Sequence, residues 1–390
     1  MVITRPARCT ARECNGDSKE PKETHVAHTE TNGETDAHAT SRTARHDAYR
    51  LVGGAGERAR AAGLVNADWY KCPVPRAVMK QLMQRSDARA IRDTLIWYAA
   101  IVASGVAAWF AWHAHSLWAI PAFWLYGTLY CSPADSRWHE CGHGTAFRTR
   151  WMNDVLYQMA SFQIFRRATV WRWSHARHHT DTLIVGRDPE IAAQKPTDWL
   201  GLALSVLAIK HVANELPKMI GAAFGRIGAA EETFVPPSER PKVIREARMT
   251  LSIYVVAIAA CAYFRTLLPL LYIGLPSLYG GWLYLYFGLT QHAGMPENVL
   301  DHRRNCRTVR MNPVFRFLYW NMNYHVEHHM FPMVPFHALP QLHETVKADM
   351  PPPYRSTIAA YAEIIPALVR QTRDPSYAVD RPVPDTAARA

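Results

Sequence analysis

The chain has 390 residues, of which 49% are hydrophobic and 11% aromatic, and it carries a formal charge of +11. Its mean hydropathy is slightly negative, so there is material for one large folded unit or two modest ones, and any membrane spans must be few and offset by polar stretches. Seven scattered cysteines without a C-x-x-C pair argue against disulfides and exclude a built-in rubredoxin, ferredoxin or zinc ribbon, while no nucleic-acid motif accompanies the basic charge.

Residues 1–65 are polar and lack any apolar run, so they are expected to be a disordered segment and not a signal peptide. His25, His28, His38 and His46 lie there and read as solvated side chains. Order is expected from Asn66, with Ser86 or Asp87 capping a helix that enters the first apolar run, residues 94–112. A short polar turn at 113–116 precedes a second run at 117–131, giving a hairpin of membrane helices. Lys71, Arg76, Lys80, Arg85, Arg89 and Arg92 crowd the approach to it, as the positive-inside bias expects.

Residues 199–210 are apolar but short, which suits an interfacial or buried helix. A second hairpin is expected from runs at 250–264 and 267–289, separated by Arg265. Pro269, Pro276, Gly280 and Gly281 predict that its last helix is kinked and closely packed. Two hairpins put residues 132–249 and everything after 290 on the same side as the N-terminus. Arg265 is the sole Lys or Arg in either inter-helix turn, so that shared side reads as cytoplasmic. Residues 351–390 read as a C-terminal tail.

Four histidine sites fall on that face: His139-Glu-Cys-Gly-His143, His175-Ala-Arg-His178-His179, the isolated His292, and His325-Val-Glu-His328-His329. Helix positions i, i+3 and i+4 share a side, so each triplet can aim its rings at one region. One metal takes roughly four to six ligands, so His139, His143, His175, His178, His179, His292, His325, His328 and His329 imply two metals. Hydrolytic zinc pairs mix in bridging carboxylates, and an almost pure imidazole set fits iron with open positions for O2 better. His211, His302, His337 and His343 stand outside the pattern and read as packed or surface residues.

With these boxes in order, residues 66–344 resemble the membrane fatty acid desaturase superfamily, marked by H-x(3,4)-H, H-x(2,3)-H-H and [HQ]-x(2,3)-H-H. The stretches Gly186-Arg-Asp-Pro-Glu-Ile191 and Asn323-Tyr-His-Val-Glu-His-His-Met-Phe-Pro332, with the trailing Val-Pro-Phe-His-Ala-Leu-Pro340, look like the branch holding dihydrorhizobitoxine desaturase and the rhizopine-catabolism oxygenases. The resemblance implies an all-α, multi-pass membrane enzyme with four transmembrane helices beneath a cytoplasmic helical cap. It further implies two irons on the nine histidines, O2 as cosubstrate and a soluble electron donor such as ferredoxin. Desaturation of a fatty acyl chain or a small amino-acid-like metabolite is the expected reaction, with hydroxylation as the alternative. Where some acyl-CoA desaturases have an asparagine one turn before the isolated histidine, this chain has Gly288.

Asp188, Glu327 and Asn323 are the favoured partners for the second ring nitrogens of the ligands, ahead of Asp135, Asp181, Glu190 and Asn321. Trp171, Trp173 and Trp320 read as interface anchors. Arg166, Arg167, Arg172 and Arg177 either follow the positive-inside bias or attract an acidic donor. A rival reading takes His139-Glu140-x-x-His143 as a zinc metalloprotease motif. A carboxylate diiron bundle would need a second E-x-x-H, and a metal transporter would place its ligands inside the spans.

Overall fold

A computed structural model describes residues 47–384, and among them helices account for all regular structure apart from two isolated β-bridges. Eight helices position the site: α1 (Asp87–His113), α2 (Ala119–Gly142), α3 (Arg150–Gln163), α4 (Ala168–Thr180), α5 (Arg240–Phe264), α6 (Trp282–His292), α7 (His325–Met330) and α8 (Thr357–Arg373). Ser86 is the residue that caps α1, its hydroxyl accepting from the Arg89 amide. Asp87 turns instead to the amide and hydroxyl of Thr149.

Two stretches are long and apolar enough to cross a membrane, Arg76–His113 and Pro237–Phe264. Only 28% and 11% of their most apolar windows is buried, too little for the core helices of a water-soluble protein. Leu95, Val102 and Phe110 on α1, and Val255, Val256 and Phe264 on α5, all point outward, an apolar rim that lipid would cover. The run at 267–289 is broken into Leu268–Ile273, Pro276–Tyr279 and α6, with the interruptions at Gly274 and at Gly280 and Gly281. The kink expected there is therefore a double break.

Small residues and aromatic hydroxyls join the hairpins. Tyr126 donates to the Tyr272 carbonyl and Tyr272 to that of Gly105, while Ser132 donates to the Gly280 carbonyl at 2.6 Å and accepts from the Tyr284 amide. A Cβ on Gly280 would lie 1.8 Å from the Gly127 carbonyl oxygen, so the backbones touch at this crossing.

Tertiary contacts hold segments at both ends of the described residues. Residues 54–61 form a helix although their composition predicted disorder. Tyr49 donates to Glu297 and accepts from the Lys195 amide, and a Cβ on Gly186 would collide with Ala55, so this segment is docked onto the loop after the second box. The expected N-terminal histidines lie outside the described residues. After residue 350, α8 buries Ala360, Ile364 and Leu368 against Leu289 and Ala293, which flank His292. The apolar segment after 198 splits at Ala208, whose φ is 51°, into Trp199–Val206 and Ile209–Ala223. It exposes Leu200, Leu204, Leu207 and Phe224, as an interfacial helix pair would.

Candidate metal centre

Each histidine box is delivered by a helix end or a short helix. His139 is on the last turn of α2 and His143 caps it; His175, His178 and His179 lie on α4, His292 closes α6, and His325, His328 and His329 occupy α7. The nine rings form two groups that could each hold a metal ion: His139, His143, His175, His179 and His328 in one, and His178, His292, His325 and His329 in the other. Within each group the ligand atoms lie within 4.8 Å of one another.

The grouping explains the H-x-x-H-H spacing. At 3.6 residues per turn, i and i+4 are about 40° apart, while i+3 lies about 60° to the other side of i. Accordingly α4 gives His175 and His179 to the first group and His178 to the second, and α7 gives His325 and His329 to the second and His328 to the first. Each triplet straddles both groups and so fixes their separation.

Outer contacts set the ring tautomers. His175 Nδ1 lies 3.0 Å from Glu190 Oε2, His178 Nδ1 2.8 Å from Asp188 Oδ2, and His292 Nδ1 2.9 Å from the Asn305 carbonyl. Thr182 donates its hydroxyl to the His178 carbonyl, so its oxygen accepts from His329 Nδ1 at 3.1 Å. Carbonyls and carboxylates only accept, so each of these four histidines carries a proton on Nδ1, and in the neutral ring Nε2 presents a bare lone pair.

Those Nε2 atoms face one another: His175 is 3.1 Å from both His139 and His179, His143 is 3.1 Å from His179, and His325 is 2.9 Å from His292 and 3.0 Å from His329. His325 has at most one Nε2 proton to offer two bare neighbours. Burial and the surrounding imidazoles also hold His143, His179, His325, His328 and His329 well below the ordinary histidine range, so protons are poor fillers of the gap. A cation at the focus of each group resolves the repulsion, and neutral imidazoles are the form that binds it.

The backing residues differ in part from those favoured by sequence. Glu190 accepts from His175 Nδ1 and from the Ser174 hydroxyl, so it backs the His175 ring. Glu327 points away, held by His343 and Thr308, and Asn323 donates to the Val309 carbonyl. Asp181 is engaged by Arg177 and Arg187, and Asn321 by Arg316. Thr182 and Asn305 were not singled out beforehand; only tertiary packing brings them to the rings. His302 stacks on Trp69 at 4.3 Å and lies 5.1 Å from the His329 ring, beside Cys306.

The protease reading is corrected by Glu140. Its carboxylate accepts from the Thr145 hydroxyl and the Phe336 amide and lies 3.8 Å from His328 Nδ1, behind that ring and turned from the focus where a general base would act. Arg167 is no docking residue, being buried against Glu215 and Glu231. Buried Trp320 stacks on Phe336 and so anchors no interface, while half-buried Trp171 donates to Glu215.

A cavity of about 290 Å3 adjoins both groups, reached by His139, His175, His178, His292 and His325. Its walls include Trp138, Ile191, Tyr284 and Leu289, and Gly288 faces it with open space where a Cβ would be. The fatty acid desaturase family model matches residues 134–361, a segment that contains all nine histidines and more than half of the chain. The chain belongs to the fatty acid desaturase family. No curated protein matches it. Members of this desaturase family are membrane-associated, diiron-dependent oxidoreductases, and the two groups of inward-facing imidazoles fit that cofactor.

Proposed function

We propose that the protein is an O2-dependent desaturase with four membrane spans in two hairpins, its nine histidines holding two irons on the cytoplasmic side. The division of the imidazoles into groups of five and four with opposed lone pairs is the observation that carries this reading. When bound, the two irons supply the oxidising power, drawn from O2 and two electrons, that removes hydrogen from an unactivated C–H bond. The chain's own task is placement and exclusion. Glu190, Asp188, Thr182 and Asn305 hold four rings in the metal-binding tautomer. Trp138, Ile191 and Leu289 line the adjoining cavity with apolar surface that keeps water from the reacting carbons.

A ferredoxin or similar soluble carrier supplies the electrons, because no cysteine pair at cluster spacing exists in the sequence. Iron-loaded protein with reduced ferredoxin and an extract of host metabolites is expected to consume O2 and yield a product two hydrogens lighter than its substrate. A product heavier by one oxygen atom would establish the hydroxylase alternative, which the open space at Gly288 favours. Absence of O2 uptake with iron and reductant present would refute both.

A further inference from the structure

Arg166 and Arg167 are neighbours in sequence but are used differently. Arg167 spends its whole fork on the protein, with Nε and both terminal nitrogens bonded to Glu215 and Glu231. Arg166 gives Nη1 to Asp135 Oδ1 at 2.8 Å and its Nε is enclosed, while its Nη2 is not enclosed and makes no hydrogen bond among the described residues. The guanidinium cannot swing to find one, because it lies against two indoles, 4.1 Å from the Trp138 centroid and 4.5 Å from that of Trp171. A ligand cannot reach the enclosed Nε, so Nη2 is the donor left open for one, and a donor left unmade costs free energy unless something completes it.

Arg166 also stands at a junction. It lines the cavity beside the histidines and a second, apolar cavity of about 360 Å3 bounded by Tyr98, Phe162 and Ile253. A long acyl chain threaded through both would pass its methylenes across a charged fork and leave the open donor unsatisfied. A carboxylate ending at the fork would satisfy it, in the planar geometry that guanidinium favours. Resting on the desaturase reading, we infer that the substrate is a short carboxylic acid whose carboxylate docks on Arg166, with its carbon chain in the smaller cavity. That cavity lies at the low end of the roughly 300–1,000 Å3 typical of ligand pockets. The Trp138 indole that carries Arg166 also contacts the His175 ring, at 5.1 Å, so the C–H bond attacked lies a few carbons from the carboxylate.

Calorimetric titration of the iron-loaded full chain in detergent, with hexanoate and with hexan-1-ol as probes, tests this. Hexanoate is expected to bind roughly tenfold or more tighter than the alcohol, the worth of one charge-assisted pair. Arg166→Gln should abolish that preference, whereas Asp135→Asn, which frees Nη1, should enlarge it. The second variant keeps the test decisive if the first fails to fold. No measurable hexanoate binding, equal affinities for the two probes, or a preference that survives Arg166→Gln or falls in Asp135→Asn would each overturn the inference. Failure of the diiron reading is seen separately, in the iron content of the same samples.

Discussion

Replacing His178 with alanine is expected to abolish turnover and to remove about one of the two irons, because it leaves its group only three imidazoles where a metal needs roughly four to six ligands. The loss is compounded at Asp188, whose buried carboxylate, 2.8 Å from His178 Nδ1, would keep only the Leu183 and Glu190 amides as donors. His328→Ala is likewise expected to be inactive, yet it leaves four imidazoles in the larger group and should retain more iron than His178→Ala. Exposed His113, at the far end of α1, provides the control: His113→Ala should keep both iron and activity. Iron measured by mass spectrometry beside O2 uptake checks the ranking. Wild-type activity in either ligand variant would refute the assignment.

The second large effect concerns the scaffold. Gly280→Ala should destabilise the detergent-solubilised protein by about 3 kcal/mol or more, at or beyond the upper end of ordinary overpacking. The added methyl would meet the Gly127 carbonyl oxygen at 1.8 Å and the Pro276 carbonyl at 2.8 Å, and backbone cannot rotate aside as a side chain can. Gly127→Ala meets the Tyr279 ring at 2.0 Å and should behave similarly, though a ring has more freedom to yield. Gly288→Ala has no neighbour within 4 Å and should melt like the parent protein. If Gly280→Ala and Gly288→Ala melted alike, the close crossing of the two hairpins would be wrong.

The histidine boxes were legible because imidazole is scarce and helical spacing is rigid: H-x-x-H-H can hardly do anything but present three rings on one side. Their partition was not legible, since it depends on how α4 and α7 interleave in space. Glu327 illustrates a misreading with a simple cause. It lies inside the third box, but position i+2 from His325 is turned about 160° from it around the helix axis, so its carboxylate meets Thr308 and His343 instead. Glu190, ranked lower from sequence, reaches His175 because the loop after α4 folds back.

Composition also understated order at both ends. Residues 54–61 are polar enough to look unstructured, yet small side chains let them dock against Gly186. The amphipathic pattern of Thr357–Arg373 is interrupted by Pro366 and offers no apolar run comparable to the spans, although it covers the helix that ends in His292. Both segments are held by distant contacts that no local pattern encodes.

The claim on which all else rests is that nine imidazoles bind a pair of irons. X-ray absorption at the iron edge, with iron quantified per chain in the purified full-length protein, tests it most directly. The account predicts about two irons per chain in a first shell dominated by imidazole nitrogen. A single metal per chain, zinc in place of iron, or a shell dominated by carboxylate oxygen would contradict it.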